Sequence, residues 1–288
     1  MTIITDERCT AYASPGHPER PARISRTVAR LRAQPELPLA WTAPADVPDA
    51  TLARVHPPEF LARLRDGEGD FDGDTPRHPD IFAHARRGVG GALRAVELAR
   101  RGEAAFSLLR PPGHHATRTR AMGFCYLSTV AVAALEAQAG GAARVAVLDF
   151  DVHHGNGTEA VLAGLPGVWF ASIHQHPCYP GTGTRDVGGN CFNHPVAPLT
   201  PPAEHLRAVR AALDRLLAAK PDLLLVSAGF DAYAHDPIAQ ELLEVEDFHA
   251  IGGMVRAAGL PACSVLEGGY SDDLPDLVLA YLKGVAGK

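Results

Sequence analysis

Short apolar runs rich in β-branched residues alternate with longer amphipathic stretches along the chain. The apolar runs predict buried strands at Thr2–Thr5, Ala105–Leu109, Arg144–Phe150, Val168–Ile173, Leu223–Ser227 and Ala262–Leu266. Apolar residues at helical spacing predict helices at Thr27–Gln34, Val89–Arg101, Thr129–Gln138, Glu204–Ala219 and Glu246–Ala258. This alternation is typical of an α/β fold with a central, mostly parallel sheet flanked by helices. Because no internal repeat or long linker interrupts it, residues 1–288 are expected to form a single domain.

Composition and charge narrow the class of protein. Hydrophobic residues make up 46% of the 288 positions, which is enough for one large core. The net charge of −6 argues against a nucleic-acid partner, and no apolar stretch is long enough to predict a membrane span. The five cysteines are scattered and form no Cys-x-x-Cys pair, which predicts free thiols in a reducing compartment. We therefore expect a cytoplasmic protein, whose oligomeric state the composition leaves open.

Polar side chains gather where the predicted strands end. The segments Arg110–His115, Asp149–Asn156 and Ser227–Asp231 each follow an apolar run, and Leu266–Tyr270 follows another. In open α/β sheets, ligands bind in the crevice outside the carboxyl ends of the strands. The four segments are therefore expected to meet in one crevice.

Two aspartates and a histidine in this set have the character of metal ligands. Asp151 and His153 are two residues apart at a strand exit, so both side chains can face the same crevice. With Asp231 they would form a site of two carboxylates and one imidazole that leaves a position open for water. Such a set suits Zn²⁺ and also accepts Fe²⁺, Co²⁺ or Mn²⁺. A metal of this kind lowers the pKa of bound water to roughly 7, which yields a nucleophile at neutral pH.

Neighbouring residues supply candidates for acid–base catalysis. One imidazole of the pair His114 and His115 can accept a proton from water, while the other orients or donates. Asp149 and Asn156 flank the predicted ligands, and each can accept a hydrogen bond that fixes an imidazole. Tyr270 follows two glycines that allow a sharp turn, so its phenol can approach the metal and bind the oxyanion of a tetrahedral intermediate.

The other histidines and Cys125 receive no catalytic role. Surface or loop positions are expected for His17, His56, His78, His84, His194, His205 and His249. His154 and His174 adjoin the predicted site and are expected to support it rather than to bind metal. Cys125 is expected to be a small buried thiol, because no base is dedicated to it.

Taken together, these segments resemble the histone deacetylase family, which includes acetylpolyamine amidohydrolases and acetoin-utilisation proteins. The resemblance implies a three-layer, arginase/deacetylase-like α/β fold. It rests on Gly16–Pro21, Arg110–His115, Gly123–Tyr126, Asp149–Gly157, Tyr179–Gly183, Ser227–Asp231 and Glu267–Tyr270. Asn156 stands where class I members carry Asp, so this position looks like the class II branch and its bacterial relatives.

The resemblance also implies a role for each position. Zn²⁺ would be bound by Asp151, His153 and Asp231. His115 would be the general base and acid, and His114 would be an electrostatic partner held by Asp149. Tyr270 would polarise the carbonyl. Phe124 and Tyr179 match the aromatic walls of an acyl-lysine tunnel, and Gly123, Gly269 and Ile238 are further expected substrate contacts. A structural monovalent cation, K⁺, is implied near Asp149, Asp151, His153 and Ser172.

Some positions depart from the family's usual pattern. Ser128-Thr129 replaces two amides, and His235–Gln240 replaces the common Gly-Asp-Pro-Leu-Gly-Gly. Ile238 is apolar where a polyamine-selective relative can place a glutamate, so that device for recognising a cation is absent there. Asp72 and Asp74, in a Gly- and Pro-rich loop, are either rim residues that hold a substrate or solvated loop acids.

The expected function is that of a Zn²⁺-dependent amidohydrolase. It would remove acetyl or another short acyl group from a small-molecule or peptide amine, such as acetyl-lysine or an acetylated polyamine. A binuclear Mn²⁺ ureohydrolase of the arginase type is one alternative, although it needs more carboxylates than these segments supply. A catalytically silent acyl-lysine-binding module is another, against which the presence of Tyr270 and both histidines argues.

Overall fold

The computed structural model describes residues 1–288, and one sheet of eight parallel strands lies at its centre. The strands are β1 (Thr2–Ile4), β2 (Ala40–Thr42), β3 (Ala105–Ser107), β4 (Val145–Asp149), β5 (Val168–Gln175), β6 (Cys191–Val196), β7 (Leu223–Ala228) and β8 (Ala262–Leu266). Their order across the sheet is β2-β1-β3-β8-β7-β4-β5-β6. All six predicted strands are present, and the predicted α/β fold is confirmed.

Helices flank this sheet. They are α1 (Ala22–Ala33), α2 (Asp49–Leu52), α3 (Pro58–Asp66), α4 (Ile81–Arg100), α5 (Thr129–Ala139), α6 (Asn156–Leu162), α7 (Pro202–Ala218), α8 (Val245–Ala257) and α9 (Leu274–Ala286), with a short 3-10 helix at Glu7–Thr10. Helix α4 packs on β1, β3 and β8, whereas α5 packs on β4 and β7 and α7 packs on β4, β5 and β6. Strands β4 and β7 are buried along their whole length, so both of their faces are covered. One continuous cluster of apolar side chains runs through these layers.

The structure extends several predicted elements and adds others. Helix α4 begins at Ile81 rather than Val89, and two of its glycines serve close packing. A Cβ atom at Gly90 would collide with the backbone oxygen of Ala45, and one at Gly91 would collide with the side chain of Ser107. Strands β2 and β6 and helix α9 were not predicted. The two strands lie at the edges of the sheet, and α9 is buried over most of its surface.

The sheet order brings the four polar segments to one edge. Strand β4 lies between β5 and β7, and Asp149 pairs in register with Ser172 and Ser227. Strand β8 lies beside β7, where Ala228 pairs with Leu266. The residues that follow these pairs therefore leave the sheet side by side.

The environment of some histidines differs from expectation. His84 and His205 lie within α4 and α7 and are buried, so their assignment to the surface or to loops was wrong. His205 contacts Glu241, with Nδ1 3.2 Å from Oε2. His56 does lie in a loop, yet none of its surface is exposed.

None of the helices is both long and apolar enough to cross a membrane.

Candidate metal and catalytic site

Asp151, His153 and Asp231 lie together where β4 and β7 end. All three are buried, and their donor atoms lie within 4.8 Å of one another. Nδ1 of His153 is 3.1 Å from Oδ1 of Asp151 and 3.1 Å from Oδ2 of Asp231. Burial alone would lower the pKa of His153, but hydrogen bonds to the two carboxylates raise it well above its ordinary value.

The surroundings of these three side chains fit a divalent metal. The N–H of Gly268 donates to Oδ2 of Asp151 at 2.7 Å, and the N–H of Val152 donates to Oδ1 of Asp231 at 2.9 Å. Each carboxylate is thereby oriented, while its other oxygen faces His153. A Cβ atom at Gly268 would collide with both carboxylates, so glycine keeps this space clear. Two oriented carboxylates and one imidazole are a donor set that Zn²⁺ and related ions accept.

The two adjacent histidines have different partners. Nδ1 of His114 is 3.1 Å from Oδ2 of Asp149, and Nδ1 of His115 is 2.8 Å from Oδ1 of Asn156. The amide oxygen accepts a hydrogen from Nδ1 of His115, which leaves Nε2 of that ring with a free lone pair. Burial, together with the positive charges of His114 and His153, lowers the pKa of His115 well below its ordinary value. Burial opposes protonation of His114 as well, but Asp151 and Asp149 outweigh it and raise the pKa of His114 to about 10.

Glu267 is a member of the site that the sequence analysis passed over. Its buried Oε2 accepts the N–H groups of Gly113 at 2.7 Å and His114 at 3.1 Å, and Oε1 accepts the hydroxyl of Ser227 at 3.1 Å. It therefore fixes the backbone that carries the two histidines. The motif Leu266–Tyr270 contained the signal, because an acid next to two glycines at a strand end is unusual. Burial raises the pKa of Glu267 to about 7.

A second group of donor atoms lies nearby. His114, Cys125 and Glu267 offer atoms within 4.8 Å of one another. Cys125 is buried as predicted, and burial raises the pKa of its thiol well above the ordinary value. Since Glu267 already accepts three hydrogen bonds and Cys125 stays a neutral thiol, this group suits a metal poorly.

A cavity of about 450 Å³ leads from the surface to the histidines. It is lined by His17, Pro18, Gly73, Asp74, His115, Gly123, Phe124, His153, Cys178, Tyr179, Ile238 and Tyr270. Five of the predicted positions thus line one cavity together with His115 and His153. A Cβ atom at Gly123 would lie 2.5 Å from the ring of His115 and 2.9 Å from the ring of Tyr179, so the narrow passage requires glycine.

Two further predictions concern residues that could contact the substrate. Asp74 lines the cavity, whereas Asp72 does not; its Oδ1 accepts the N–H of Asp74 at 3.0 Å. Gly269 does not line the cavity either, because its place is in the backbone turn before Tyr270 with φ of 112°. This φ gives Gly269 a conformational role, and its expected contact with substrate stays a prediction.

His17 was assigned to a loop, where it lies, but it also lines the cavity. Its Nδ1 accepts the N–H of Glu19 at 3.0 Å, so Nε2 carries the hydrogen and donates to the backbone oxygen of Asp74 at 3.2 Å. The ring centre lies 4.6 Å from that of Phe124. The motif Gly16–Pro21 was the sequence signal for this residue.

His154 and His174 support a cavity wall. Nδ1 of His154 contacts Oγ1 of Thr182 at 2.7 Å, and Nε2 of His174 contacts the backbone oxygen of Gly183 at 3.0 Å. Both contacts hold the turn that carries Tyr179. Ser172, expected near a monovalent cation, contacts Nδ1 of His174 through its hydroxyl at 2.9 Å.

The α/β fold thus places a candidate metal group and a histidine pair at the foot of one cavity. Residues 17–284 match the family model described as "Histone deacetylase domain". The chain therefore belongs to the histone deacetylase family, and it is a deacetylase.

Three comparisons show the extent of the similarity. The chain is 36% identical to a "Probable deacetylase" of Methanothermobacter thermautotrophicus, over 100% of this chain and 91% of that protein. It is 39% identical to a "Histone deacetylase-like amidohydrolase" of Pseudomonas aeruginosa, over 96% of this chain and 78% of that protein. Its fold is similar to the crystal structure of an acetylpolyamine aminohydrolase from Burkholderia pseudomallei, with a TM-score of 0.89 and 30% identity over 99% of this chain and 98% of that one.

Proposed function

We propose that the protein is a Zn²⁺-dependent amidohydrolase that removes acetyl or another short acyl group from an amine. The observation that carries this proposal is the convergence of a three-donor metal group, a neutral histidine and a tyrosine at the end of one cavity. Asp151, His153 and Asp231 would hold the ion, which supplies an acidified water and polarises the scissile carbonyl. The alternative binuclear Mn²⁺ site lacks support, because the second donor group is already hydrogen-bonded.

The protein's own residues supply the proton transfers. His115 is positioned as general base, since Asn156 holds its Nδ1–H and leaves Nε2 free to accept the proton of the attacking water. The same Nε2 then donates that proton to the departing amine nitrogen. His114, paired with Asp149, remains a cation beside it and stabilises negative charge that develops during attack.

Tyr270 is assigned the role of hydrogen-bond donor to the carbonyl oxygen of the substrate. Its ring lies against Phe124 with ring centres 5.7 Å apart, and its side chain lines the cavity. A phenol hydroxyl in this position donates a hydrogen bond that strengthens as the carbonyl becomes an oxyanion. Burial raises the pKa of Tyr270 well above its ordinary value, so the hydroxyl keeps its hydrogen.

The cavity walls support an uncharged acylated alkyl chain as the group that enters. Phe124 and Tyr179 present aromatic surface, and Ile238 adds an apolar side chain near the mouth. Asp74 is the one acid of the lining and could accept a substrate N–H. We therefore expect turnover of acyl-lysine-like chains without the need for a second amine.

A K⁺ ion beside Asp149 and Ser172, with Asp151 and His153 nearby, is proposed as a structural element.

One experiment tests the function and its alternatives. The purified protein is loaded with Zn²⁺, desalted, and assayed on an acetyl-lysine peptide, on acetylated polyamines and on longer acyl-lysines, with metal measured in parallel. One Zn²⁺ per chain with turnover supports the proposal. A parallel sample is loaded with Mn²⁺ and assayed on a guanidino compound such as arginine. Two Mn²⁺ per chain with release of urea from that compound would support the ureohydrolase instead, and binding of an acylated amine without turnover would support the silent module. Acetylpolyamines turned over orders of magnitude faster than the peptide would show that acids such as Asp74 or Asp72 form a cation site.

A further inference from the structure

Asp236 does not line the cavity, yet it holds two residues that do. Its side chain is buried, with 7% of the residue exposed. Oδ2 accepts the N–H of Tyr270 at 2.7 Å, and Oδ1 accepts the N–H of Ile238 at 3.1 Å. Both oxygens of one carboxylate are therefore used by the backbones of two cavity residues.

The backbone at Tyr270 depends on such contacts because it lies outside regular structure. Strand β8 ends at Leu266 and helix α9 begins at Leu274. Gly269 adopts φ of 112°, and its backbone oxygen accepts a hydrogen bond from Nε of Arg23 at 2.7 Å. The N–H of the next residue, Tyr270, donates to Asp236. This hydrogen bond to Asp236 thus fixes the direction in which the side chain of Tyr270 leaves the turn.

The contact to Ile238 makes this support rigid. Asp236 and Ile238 are two residues apart, so the carboxylate closes a short turn around Pro237 within its own segment. One side chain therefore links the end of the cavity, at Tyr270, to its mouth, at Ile238.

We propose that Asp236 is a positioning residue that places the hydroxyl of Tyr270 for the reaction. The inference rests on the proposed function, which assigns that hydroxyl to the carbonyl oxygen. A shift of about 1 Å in a catalytic group can reduce a rate by about 10²-fold, so loss of this anchor acts on turnover. The substrate does not touch Asp236, and its binding is affected much less.

Asp236→Asn tests the proposal with a side chain of the same size. Asparagine has one acceptor oxygen, so its NH₂ group faces the N–H of either Tyr270 or Ile238. We expect kcat on the acetyl-lysine peptide to fall about 10- to 100-fold, with KM changed by less than about threefold and bound metal unchanged. Asp273→Asn is the matched control, because Asp273 accepts the hydroxyl of Tyr233 at 3.2 Å and makes no contact with Tyr270.

A double-mutant cycle shows whether Asp236 acts through the tyrosine. In a Tyr270→Phe background no hydroxyl remains to be misplaced, so adding Asp236→Asn is expected to reduce kcat by less than about threefold. A full additional loss in that background would overturn the proposal. So would loss of metal from Asp236→Asn, because the residue would then support the metal ligands instead.

Two further outcomes complete the test. If Asp236→Asn does not fold, as judged by circular dichroism, amide hydrogen exchange on the wild-type protein takes its place. The N–H of Tyr270 should then exchange as slowly as those of β8, and rapid exchange would overturn the anchor. A wild-type protein that is inactive on every acylated amine refutes the proposed function, whereas an active wild type with an equally active Asp236→Asn refutes this inference alone.

Discussion

Two neighbouring imidazoles in this site are held in opposite charge states by the groups they face. His114 faces the carboxylate of Asp149, whereas His115 faces the amide of Asn156. A carboxylate stabilises a protonated ring, and an amide oxygen does so much less. The protonated His114 then disfavours a second positive charge beside it. The amide at position 156 therefore contributes to the separate roles of two identical side chains, together with burial of His115 and the charges of Asp151 and Asp149 beside His114.

The tyrosine hydroxyl carries the first prediction at this scale. Tyr270→Phe is expected to reduce kcat by about 10²–10³-fold, or roughly 2.7–4 kcal/mol, by analogy with removal of a single oxyanion donor. KM and metal content should change little, because the hydroxyl neither binds metal nor holds the acyl chain. Steady-state kinetics with metal analysis measure this. Near-normal kcat would show that Tyr270 does not face the carbonyl.

Asp231 carries the second prediction at the residue scale. Asp231→Ala opens the metal site and leaves the N–H of Val152 without its acceptor, so both metal retention and hydrolysis should be lost. Metal analysis after dialysis against a chelator, followed by the peptide assay, measures both. Asp46→Ala removes an exposed acid and is the control. Full activity of Asp231→Ala with substoichiometric metal would contradict the assignment of this ligand.

At the scale of elements, the loop of residues 67–79 shapes a cavity wall that belongs to another segment. Phe124 adopts φ of 68°, a region that favours glycine and costs about 1–3 kcal/mol for other residues. Its N–H donates to Oγ1 of the buried Thr75 at 3.1 Å. The hydroxyl of Tyr126 donates to the backbone oxygen of Pro76, which fixes the same two segments a second time. The loop therefore stabilises the strained wall.

Thr75→Val removes the acceptor without changing the shape of the side chain. We expect KM for acyl-lysine substrates to rise by about three- to tenfold, which corresponds to the loss of one hydrogen bond, with a smaller effect on kcat. Thr75→Ser keeps the hydroxyl and should restore KM, and Thr119→Val at an exposed position is the control. Hydrogen exchange of the Phe124 amide should be faster in the valine variant. Equal KM for the valine and serine variants would contradict this role.

The predicted elements agree best with the structure where the sequence contains a continuous run of apolar residues. Strands such as β4 and β7 are continuous apolar runs with polar ends, so their bounds were close. Helix α9 does show helical periodicity and was overlooked, whereas edge strand β2 has only three residues, too few to show a period.

The residues of the candidate site also divide into those that the sequence could predict and those that it could not. Metal and histidine positions could be predicted, since each one stands at the end of an apolar run and has a distinctive side chain. Glu267, Asp236 and Thr75 could not, because their partners are backbone N–H groups of distant segments. A sequence shows where a carboxylate is, but the fold decides which N–H lies opposite it.

At the scale of the whole molecule, buried neutral histidines make stability depend on pH. Nε2 of His56 accepts the N–H of Ser128 at 3.0 Å, and its Nδ1–H donates to the backbone oxygen of Arg118 at 3.0 Å. Protonation would break the first of these bonds. Burial lowers the pKa of His56 from 6.5 to about 4.

The sign of the effect follows from that shift. Above pH 6.5 the ring is neutral whether the protein is folded or unfolded, so its stabilising contribution is complete. As the pH falls from 6.5 to about 4, only the unfolded chain binds the proton, and up to roughly 3 kcal/mol of stability is lost. Urea unfolding of the wild type and of His56→Gln over this range should show a shallower pH dependence in the variant. His249→Gln, at an exposed position on α8, controls for the loss of a histidine. Parallel pH profiles for the wild type and His56→Gln would contradict the prediction.

The strand order has a consequence for how the chain folds during synthesis. The last strand made, β8, lies between β3 and β7, so it joins β2-β1-β3 on one side to β7-β4-β5-β6 on the other. Until β8 leaves the ribosome, those two groups of strands have no partner along their inner edges, and their pairing spans a large part of the chain. Such distant pairing is slow, and unpaired edges invite aggregation. The residues directly after β8 include Glu267 and Tyr270, so a nascent chain gains its catalytic arrangement in the same step that closes its sheet.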